Sequence, residues 1–379
     1  MKKRINQAGK WEKFCWTVYQ KVDLSMEARK ARKGCRQQLS ILNGGYRGSK
    51  ELFKSQVLSF WSKYGIKPEK MWYDLYCYKD GKYDPRYIPQ DIYWQKIYPA
   101  FNRQNFRQAY TDKCFYQQLF PYLKQPRTIV RNTNNCFYDG FGQIISFEQA
   151  ISLLETEKSF VIKPSIYSGE GVDIFFYEKD KHHNMNIQEL LKSYGTDYIV
   201  QGVVSQHKIL SSIHPESINT IRVISFLFRG EVHISSAILR MGVAGSRLDN
   251  FSAGGIACPI LPDGRLEERA LNNELQWITS HPNGAVFAEI KIPSYNRVLE
   301  AVRRAHKTVP HFRIIGWDFA VDEIGEPVLI EYNGGPGMNQ VTCGPLFGDL
   351  TEKVLDTIFL NEPEFADESN YYYKERMIV

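Results

Sequence analysis

The chain lacks any Cys-x-x-Cys pair, and its seven cysteines stand apart at 15, 35, 77, 114, 136, 258 and 343. Their odd total and scatter fit free thiols in a reducing compartment and argue against structural zinc or a disulfide frame. The histidines show no ligand spacing, and His182-His183 lies in a charged turn where solvation is the simpler reading. A GxxxxGK[ST] loop is missing, which excludes a Walker-type phosphate cradle. No order of Ser, His and Asp, or of Cys and His, supports a nucleophilic triad. Apolar runs stop short of bilayer length, and no apolar stretch of signal-peptide type follows the basic start, so a cytoplasmic protein is expected. Internal repeats and low-complexity segments are also lacking.

What is present is a chain of 379 residues with 43% hydrophobic and 14% aromatic content, the composition of a folded protein of two or three domains. The net charge of +6 is unevenly spread: residues 1–50 hold thirteen Lys/Arg against three Asp/Glu, and the remainder is slightly acidic. Trp11, Phe14, Trp16 and Tyr19 lie between those basic residues. Such a segment reads either as a solvated helix packed through its aromatics or as a contact for an anionic membrane surface or a phosphorylated partner. The basic excess ends where the core begins, so nucleic acid is not an expected partner.

Residues 1–110 read as mostly helical, with helices at 11–22, 25–42 and 49–63, a stop at Asn43-Gly44-Gly45, and a loop-rich stretch at 71–99. From Thr111 the pattern alternates. Helices are expected at 112–122, 146–158 (capped by Ser146), 186–194, 294–309 and 349–360. Strands are expected at 129–132, 159–164, 172–179 and 197–204, and hairpins at 220–242 and 316–337. The division that follows is 1–110, 111–204, 205–360 and an acidic tail at 361–379. The fold class is α+β, with a helical region ahead of two mixed lobes.

The hairpin GWDFAVDEIGEPVLIEYNGGPG (316–337) carries the clearest chemistry. If its turn centres on Ile324 and Gly325, Asp318 faces Glu331 with Cβ atoms roughly 5 Å apart, and Asn333 shares their face. Three oxygen side chains, two of them anionic, suit Mg²⁺ or Mn²⁺ better than zinc. The plain alternative is a solvated hairpin face, and Pro327 warns that the register near the turn is irregular. The glycine-rich exit, Gly334 to Gly337, would let backbone approach a ligand closely.

Lys163 closes an apolar strand and precedes SIYSGEG (165–171), whose Ser168, Gly169, Glu170 and Gly171 form a tip able to fold over phosphates; a surface hairpin is the alternative. Arg222 and Arg240 lie on opposing strands of the 220–242 hairpin. Centred on Arg229-Gly230, that hairpin sets Arg222 near position 237, so a shared face for the two arginines is plausible but not forced. Arginines inside an apolar hairpin are costly unless they meet anions, either a ligand or an internal acid. LDNFSAGG (248–255) sets Asn250 beside a glycine turn.

Taken in order, these pieces resemble the ATP-grasp superfamily over roughly 111–360. Thr111-Asp112-Lys113 is similar to the segment bearing the first nucleotide lysine, Lys163 to the second, and SGEG to the mobile glycine loop. YIVQGVV (198–204) resembles the hinge strand that reads adenine through its backbone, here Gln201, Gly202 and Val203. Many relatives carry a hinge Glu for the ribose; this chain does not, and Gln201 or His207 could substitute. Within the superfamily, SINTIRV (217–223, with Asn219), LDNFSAGG and EYNGGPG resemble the sugar-transfer-associated proteins, and more distantly the ligases that add glutamate to a ribosomal protein.

The resemblance implies ATP and Mg²⁺ (or Mn²⁺) as cofactors, with Asp318, Glu331 and Asn333 as metal ligands and Lys113 and Lys163 on the phosphates. It implies ADP-forming carboxylate–amine ligation through an acyl phosphate, with Arg240 at the oxyanion and Arg222 on the triphosphate. The expected partners are an amine donor and a free or lipid-linked sugar acceptor in surface-polysaccharide (capsule) assembly, with peripheral membrane contact through the basic N-terminus. An ATP-grasp phosphotransferase acting on a hydroxyl and a non-catalytic nucleotide-binding scaffold are the alternatives.

Overall fold

The computed structural model describes residues 2–42, 48–166, 171–251, 254–362 and 364, the side chains of 2–14 and 16 excepted. The Asn43-Gly44-Gly45 stop therefore lies outside the described residues. The first two expected helices are one, Lys2–Ile41. Nothing between 22 and 25 is a glycine or proline, so local propensity has no means to break the helix there. Its inner face is set by Leu24, Ala28 and Cys35, which are buried at helical spacing.

Two antiparallel sheets follow. The first comprises β1 (Thr128–Thr133), β2 (Cys136–Asp139), β3 (Ile144–Ile145), β4 (Ser159–Pro164), β5 (Phe175–Glu178) and β6 (Tyr198–Gln201), in the order β3-β2-β1-β6-β4-β5. Helices Phe147–Glu155 and Ile187–Tyr194 supply Ala150, Leu154, Ile187 and Leu191 to its core, against Phe160, Ile162 and Val200. Ser146 caps the first of these helices in a reciprocal box with Gln149. Ser146→Ala is expected to cost about 1 kcal/mol in urea unfolding. β2 and β3 have no counterpart among the expected strands, being too short and too polar to show a period.

The second sheet comprises β7 (Thr220–Phe228), β8 (Glu231–Met241), β9 (Ile256–Pro259), β10 (Ala270–Leu271), β11 (Trp277–Ile278), β12 (Ile314–Val321) and β13 (Pro327–Asn333). Its order is β11-β10-β9-β8-β7-β12-β13. One face, with Ile221, Val223, Ile315, Trp317 and Phe319, packs on Val298, Val302 and Ala305 of helix Tyr295–His306. The other face, with Ile224, Phe226, Phe228 and Ile314, packs on the N-terminal helical region and on Val354 and Leu355 of helix Thr351–Phe359. Phe101 meets Phe226 edge-on at 5.0 Å between ring centroids. Because side chains alternate along a strand, this second face continues to Arg222 and Asp318.

Bulges settle the registers of both long hairpins. Phe228 to Ser225 pair on Glu231 to Ile234 as a tight Arg229-Gly230 turn demands, but from Ile224, which meets Ser236, every partner shifts by one. Arg222 therefore faces Ile238 and not 237, and Thr220 faces Arg240. One extra residue moves all later side chains of β8 to the other face, which is what brings Arg240 to the side of Arg222. In the β12–β13 hairpin the turn closes Asp322 on Glu326, and Val321 faces Pro327. A shift between Asp318 and Phe319 then sets Asp318 opposite Glu331 and Gly316 opposite Asn333. The expected pairing is reached through a turn one residue longer than assumed and a compensating bulge.

Candidate functional site

A cavity of about 430 Å³ lies between the two sheets. Its lining includes the apolar Val161, Ile174, Phe176, Val203, Ile218 and Ile330 and the polar or charged Lys113, Lys163, Thr220, Arg240, Asp249, Asn250, Asp318 and Glu331. A cavity lined by both apolar and charged side chains suits a ligand with a flat apolar group joined to an anionic chain.

Lys113 opens the helical stretch expected at 112–122, which begins as a tight turn, Lys113–Phe115, and runs into helix Tyr116–Leu119 before stopping. Asp112 caps a three-residue segment, Lys113–Phe115, by accepting the Cys114 N–H at 2.9 Å. Lys113 N donates to Ser165 O at 3.1 Å, tying this turn to the end of β4, where Lys163 sits. Lys113 Nζ lies 3.5 Å from Glu331 Oε2. Burial, then the neighbouring Lys113 charge, push the Lys163 amine down to about 8, with Glu331 opposing. The two lysine charges oppose each other, and Glu331 is the acid that offsets them.

Arg222 grips Asp318 with both arms: Nε donates to Oδ1, and Nη2 to Oδ2 at 2.6 Å. Arg240 Nη2 adds a contact to the same Oδ2 at 3.3 Å. Burial alone would raise the Asp318 carboxyl, but Arg222 and then Arg240 outweigh it and hold it below the usual carboxylate range. Burial works against the Arg222 guanidinium, yet Asp318 keeps its pKa raised. Asp318 is 1% exposed, whereas the Glu331 side chain is 35% exposed.

Sequence reasoning missed Asp249 and Thr220. The Asp249 carboxylate accepts the Thr220 N–H at 3.1 Å and the Thr220 hydroxyl, and lies 3.4 Å from Arg240 Nη2. Thr220 Oγ1 in turn accepts from Arg240 Nε at 3.0 Å and Nη2 at 2.9 Å. Burial pushes the Asp249 carboxyl up, against Arg240 and Thr220. Arg240 is thus clamped between two acids, and Nη1 reaches Asn250 Oδ1 at 3.3 Å. No local pattern marks Asp249, because its partner is a strand start 29 residues away.

Other expected positions fall as follows. Gln201, Gly202 and Val203 line the cavity, with the Gly202 N–H spent on Arg127 O at 2.8 Å. Gly171 also lines it at φ +78°, and a Cβ there would stand 2.7 Å from Asn250 Nδ2. Ser168, Gly169 and Glu170 lie outside the described residues. His207 does not line the cavity; its Nδ1 accepts Ile209 N at 3.2 Å and caps helix Lys208–Ile213. Asn219 is fully buried away from the cavity, its amide nitrogen donating to Leu210 O and His214 O at 2.9 Å each. The hinge wall instead gains Glu323, from the turn of the β12–β13 hairpin.

Asn333 shares the face of Asp318 and Glu331, and its Oδ1 accepts Gly335 N at 2.8 Å. Among the described residues no group of three or more His, Cys, Asp or Glu gathers to hold a metal. Two carboxylates and an amide nevertheless fit a hard ion of the Mg²⁺ kind, which keeps few protein ligands and takes the rest from water and phosphate. Of the glycines after Asn333, two are needed for close packing of protein on protein. A Cβ at Gly334 would stand 3.1 Å from the Phe312 ring, and one at Gly335 3.1 Å from Tyr98 Oη. At Gly337, by contrast, a Cβ would meet nothing within 4 Å.

Residues 94–350 match the sequence profile of sugar-transfer associated ATP-grasp proteins. The chain belongs to the sugar-transfer associated ATP-grasp family. A comparison with curated proteins finds no significant match. Among solved structures, this ATP-grasp chain is similar to an L-amino acid ligase from Bacillus licheniformis, at 13% identity and a TM-score of 0.38 over 68% of this chain and 48% of that one. It is also similar to the VanG D-Ala:D-Ser ligase from Enterococcus faecalis (16% identity, TM-score 0.40, 66% and 61%). A D-alanine–D-alanine ligase from Bacillus anthracis complexed with ATP is a third (18%, 0.36, 65% and 64%). The chain spans between 48% and 64% of the length of these three.

Proposed function

We propose that this ATP-grasp protein is an ADP-forming carboxylate–amine ligase that joins an amine to a sugar acid or related acceptor during surface-polysaccharide assembly. The observation that carries the reading is the convergence of Lys113, Lys163, Arg240, Asp318 and Glu331 in one cavity that also has an apolar lining. Adenine would lie along Val161, Ile174, Phe176 and Ile330 beside the Gln201–Val203 backbone, and Glu323 would take the ribose hydroxyls. The two lysines would hold phosphate oxygens, which resolves their mutual repulsion. Asp318, Glu331 and Asn333 would hold Mg²⁺, whose contribution is to neutralise phosphate charge.

In the first step a substrate carboxylate oxygen attacks the γ-phosphorus, the bond to the β-phosphate oxygen breaks, and ADP leaves with that electron pair. In the second an amine nitrogen attacks the acyl carbon, phosphate leaves, and the nitrogen sheds one proton. Arg240, locked by Thr220, Asp249 and Asp318, stabilises the oxyanion from a position already organised before reaction. Lys163 keeps its proton at neutral pH, since its pKa of about 8 lies above it.

With ATP and Mg²⁺, ADP and inorganic phosphate are expected in equal amounts only when carboxylate and amine are both supplied. AMP release would overturn the acyl-phosphate route. ADP with a phosphorylated alcohol and no free phosphate would reassign the protein as a kinase.

The charge and length of helix Lys2–Ile41 support a further part of this proposal, peripheral contact with an anionic membrane at its inner face. No helix among the described residues is long and apolar enough to cross a membrane. Flotation with anionic vesicles should lose the protein when residues 1–36 are deleted; unchanged flotation overturns the contact.

A further inference from the structure

The two sheets that enclose the 430 Å³ cavity are joined differently on its two sides. On one side the joint is backbone. The chain enters the first sheet after Lys124, whose carbonyl accepts Leu329 N at 2.9 Å. After leaving that sheet it reaches His207, whose N–H donates to Val321 O at 2.8 Å. Entry and exit are thus pinned to β13 and β12, the two strands of one hairpin. On the other side the joint is made by side chains. Among the described residues no backbone hydrogen bond links 171–178 to 242–250, and Arg247 bridges the two segments.

Arg247 stands in the loop after β8 and lines the cavity. Its guanidinium covers the Phe176 ring, with Cζ 4.4 Å from the centroid, and its Nη1 donates to Glu178 Oε1. Phe176 and Glu178 belong to β5, the outer strand of the first sheet. Among the described residues this is the one ion pair between 128–201 and 205–362. Beside it Leu248 closes against Gly171, where an added Cβ would meet Leu248 Cδ1 at 2.8 Å. The Arg247 side chain is 38% exposed and that of Glu178 27%, so water and salt compete for both charges. A backbone joint at one edge and a partly solvated ion pair at the other are the parts of a hinge and a latch.

The loop that carries Arg247 is tied to the second sheet's side. Glu216 Oε2 accepts Gly245 N at 2.8 Å, His214 Nε2 donates to Ser246 O at 3.1 Å, and His281 Nε2 donates to Gly242 O at 2.8 Å. Arg247 therefore stands on a braced base. Two and three residues beyond it are Asp249 and Asn250, which hold Arg240. One short segment thus sets both the contact with β5 and the place of Arg240.

We infer that Arg247 is a positioning residue that latches the cavity over a bound nucleotide by stacking on Phe176 and pairing with Glu178. The inference rests on the reading of the cavity as the nucleotide site. Glu178 distinguishes a latch from a direct ligand contact by Arg247, because Glu178 does not line the cavity.

Stopped-flow release of the fluorescent nucleotide mant-ADP, chased with unlabelled ADP in the presence of Mg²⁺, reads the latch in the full-length protein. Glu178→Gln is expected to speed release about threefold, and Arg247→Met about tenfold because it loses the ring contact as well. The double variant should release no faster than Arg247→Met alone, since both changes remove the same ion pair. Lys181→Gln, which removes the other partner of Glu178, at 2.7 Å, should release as the parent does. Unchanged release in Glu178→Gln, or independent effects that multiply in the double variant, would overturn the latch and leave the nucleotide site standing. A parent protein that fails to bind mant-ADP overturns the nucleotide reading and the latch together.

Discussion

Asp318→Ala is expected to lower stability by about 3–5 kcal/mol, because it leaves Arg222 buried without its counter-charge. Arg222 donates to both oxygens of Asp318, and Arg240 leans on one of them. Glu331→Gln is expected to cost under about 1 kcal/mol, since Glu331 is a third exposed and its pairing with Lys113 is long at 3.5 Å. Both variants should nonetheless lose turnover to below about a thousandth of the parent, as expected when charge stabilisation of the reacting phosphates is removed. Urea unfolding and ADP release measured on the same preparations check the pair. If turnover and Mg²⁺-dependent ATP binding survive in Asp318→Asn combined with Glu331→Gln, these residues are not the metal ligands.

Lys163→Met should move stability the other way. In the folded chain burial and Lys113 depress the Lys163 amine from 10.5 to about 8. Between those two values the unfolded chain binds the extra proton, so stability rises as pH climbs from about 8 to 10.5. Below pH 8 the full penalty is present, about 3 kcal/mol by the linkage relation. The methionine variant removes it, so the nucleotide-free protein should unfold at higher urea at pH 7, with the gain shrinking to nothing near pH 10.5. ATP affinity should fall at least about tenfold, one buried charge–phosphate contact being worth more than 1.4 kcal/mol. An unstable methionine variant, or one that binds ATP normally, would show that the lysine serves packing and not phosphate. Such an opposition is common where a site holds repelling groups until its ligand arrives.

Much of the scaffold is legible in the sequence because it depends on local periodicity. Ser159–Pro164 ends where its apolar alternation ends. Helix Ile187–Tyr194 starts at Asn186, whose side chain accepts from Gln188 and Glu189. Helix Tyr295–His306 shows its buried stripe in Val298, Val302 and Ala305. Local signals mislead where tertiary packing decides the outcome. The expected gap between helices 11–22 and 25–42 is absent, because the N-terminal helix runs through it. Lys113 opens a helical stretch as expected, but that stretch starts as a tight turn at Lys113–Phe115 and ends with Tyr116–Leu119, short of the expected 122. Asn219 and His207 carry groups that suit a nucleotide, yet the Asn219 amide nitrogen and His207 Nδ1 are engaged by the helix at 208–213.

By itself the sequence determined the places of the longer strands along the chain, the pairing of Asp318 with Glu331 to within a bulge, and the presence of two lysines and two arginines on the elements that bear them. These follow from period-two alternation and turn chemistry, which act over a few residues. The tertiary structure alone decided that Arg222 and Arg240 share a face, that Asp249 and Thr220 lock one of them, and that Arg247 meets Phe176 and Glu178. A one-residue bulge in β8 reverses which side every later side chain points to, and contacts across 20 to 200 residues have no periodic trace in the chain.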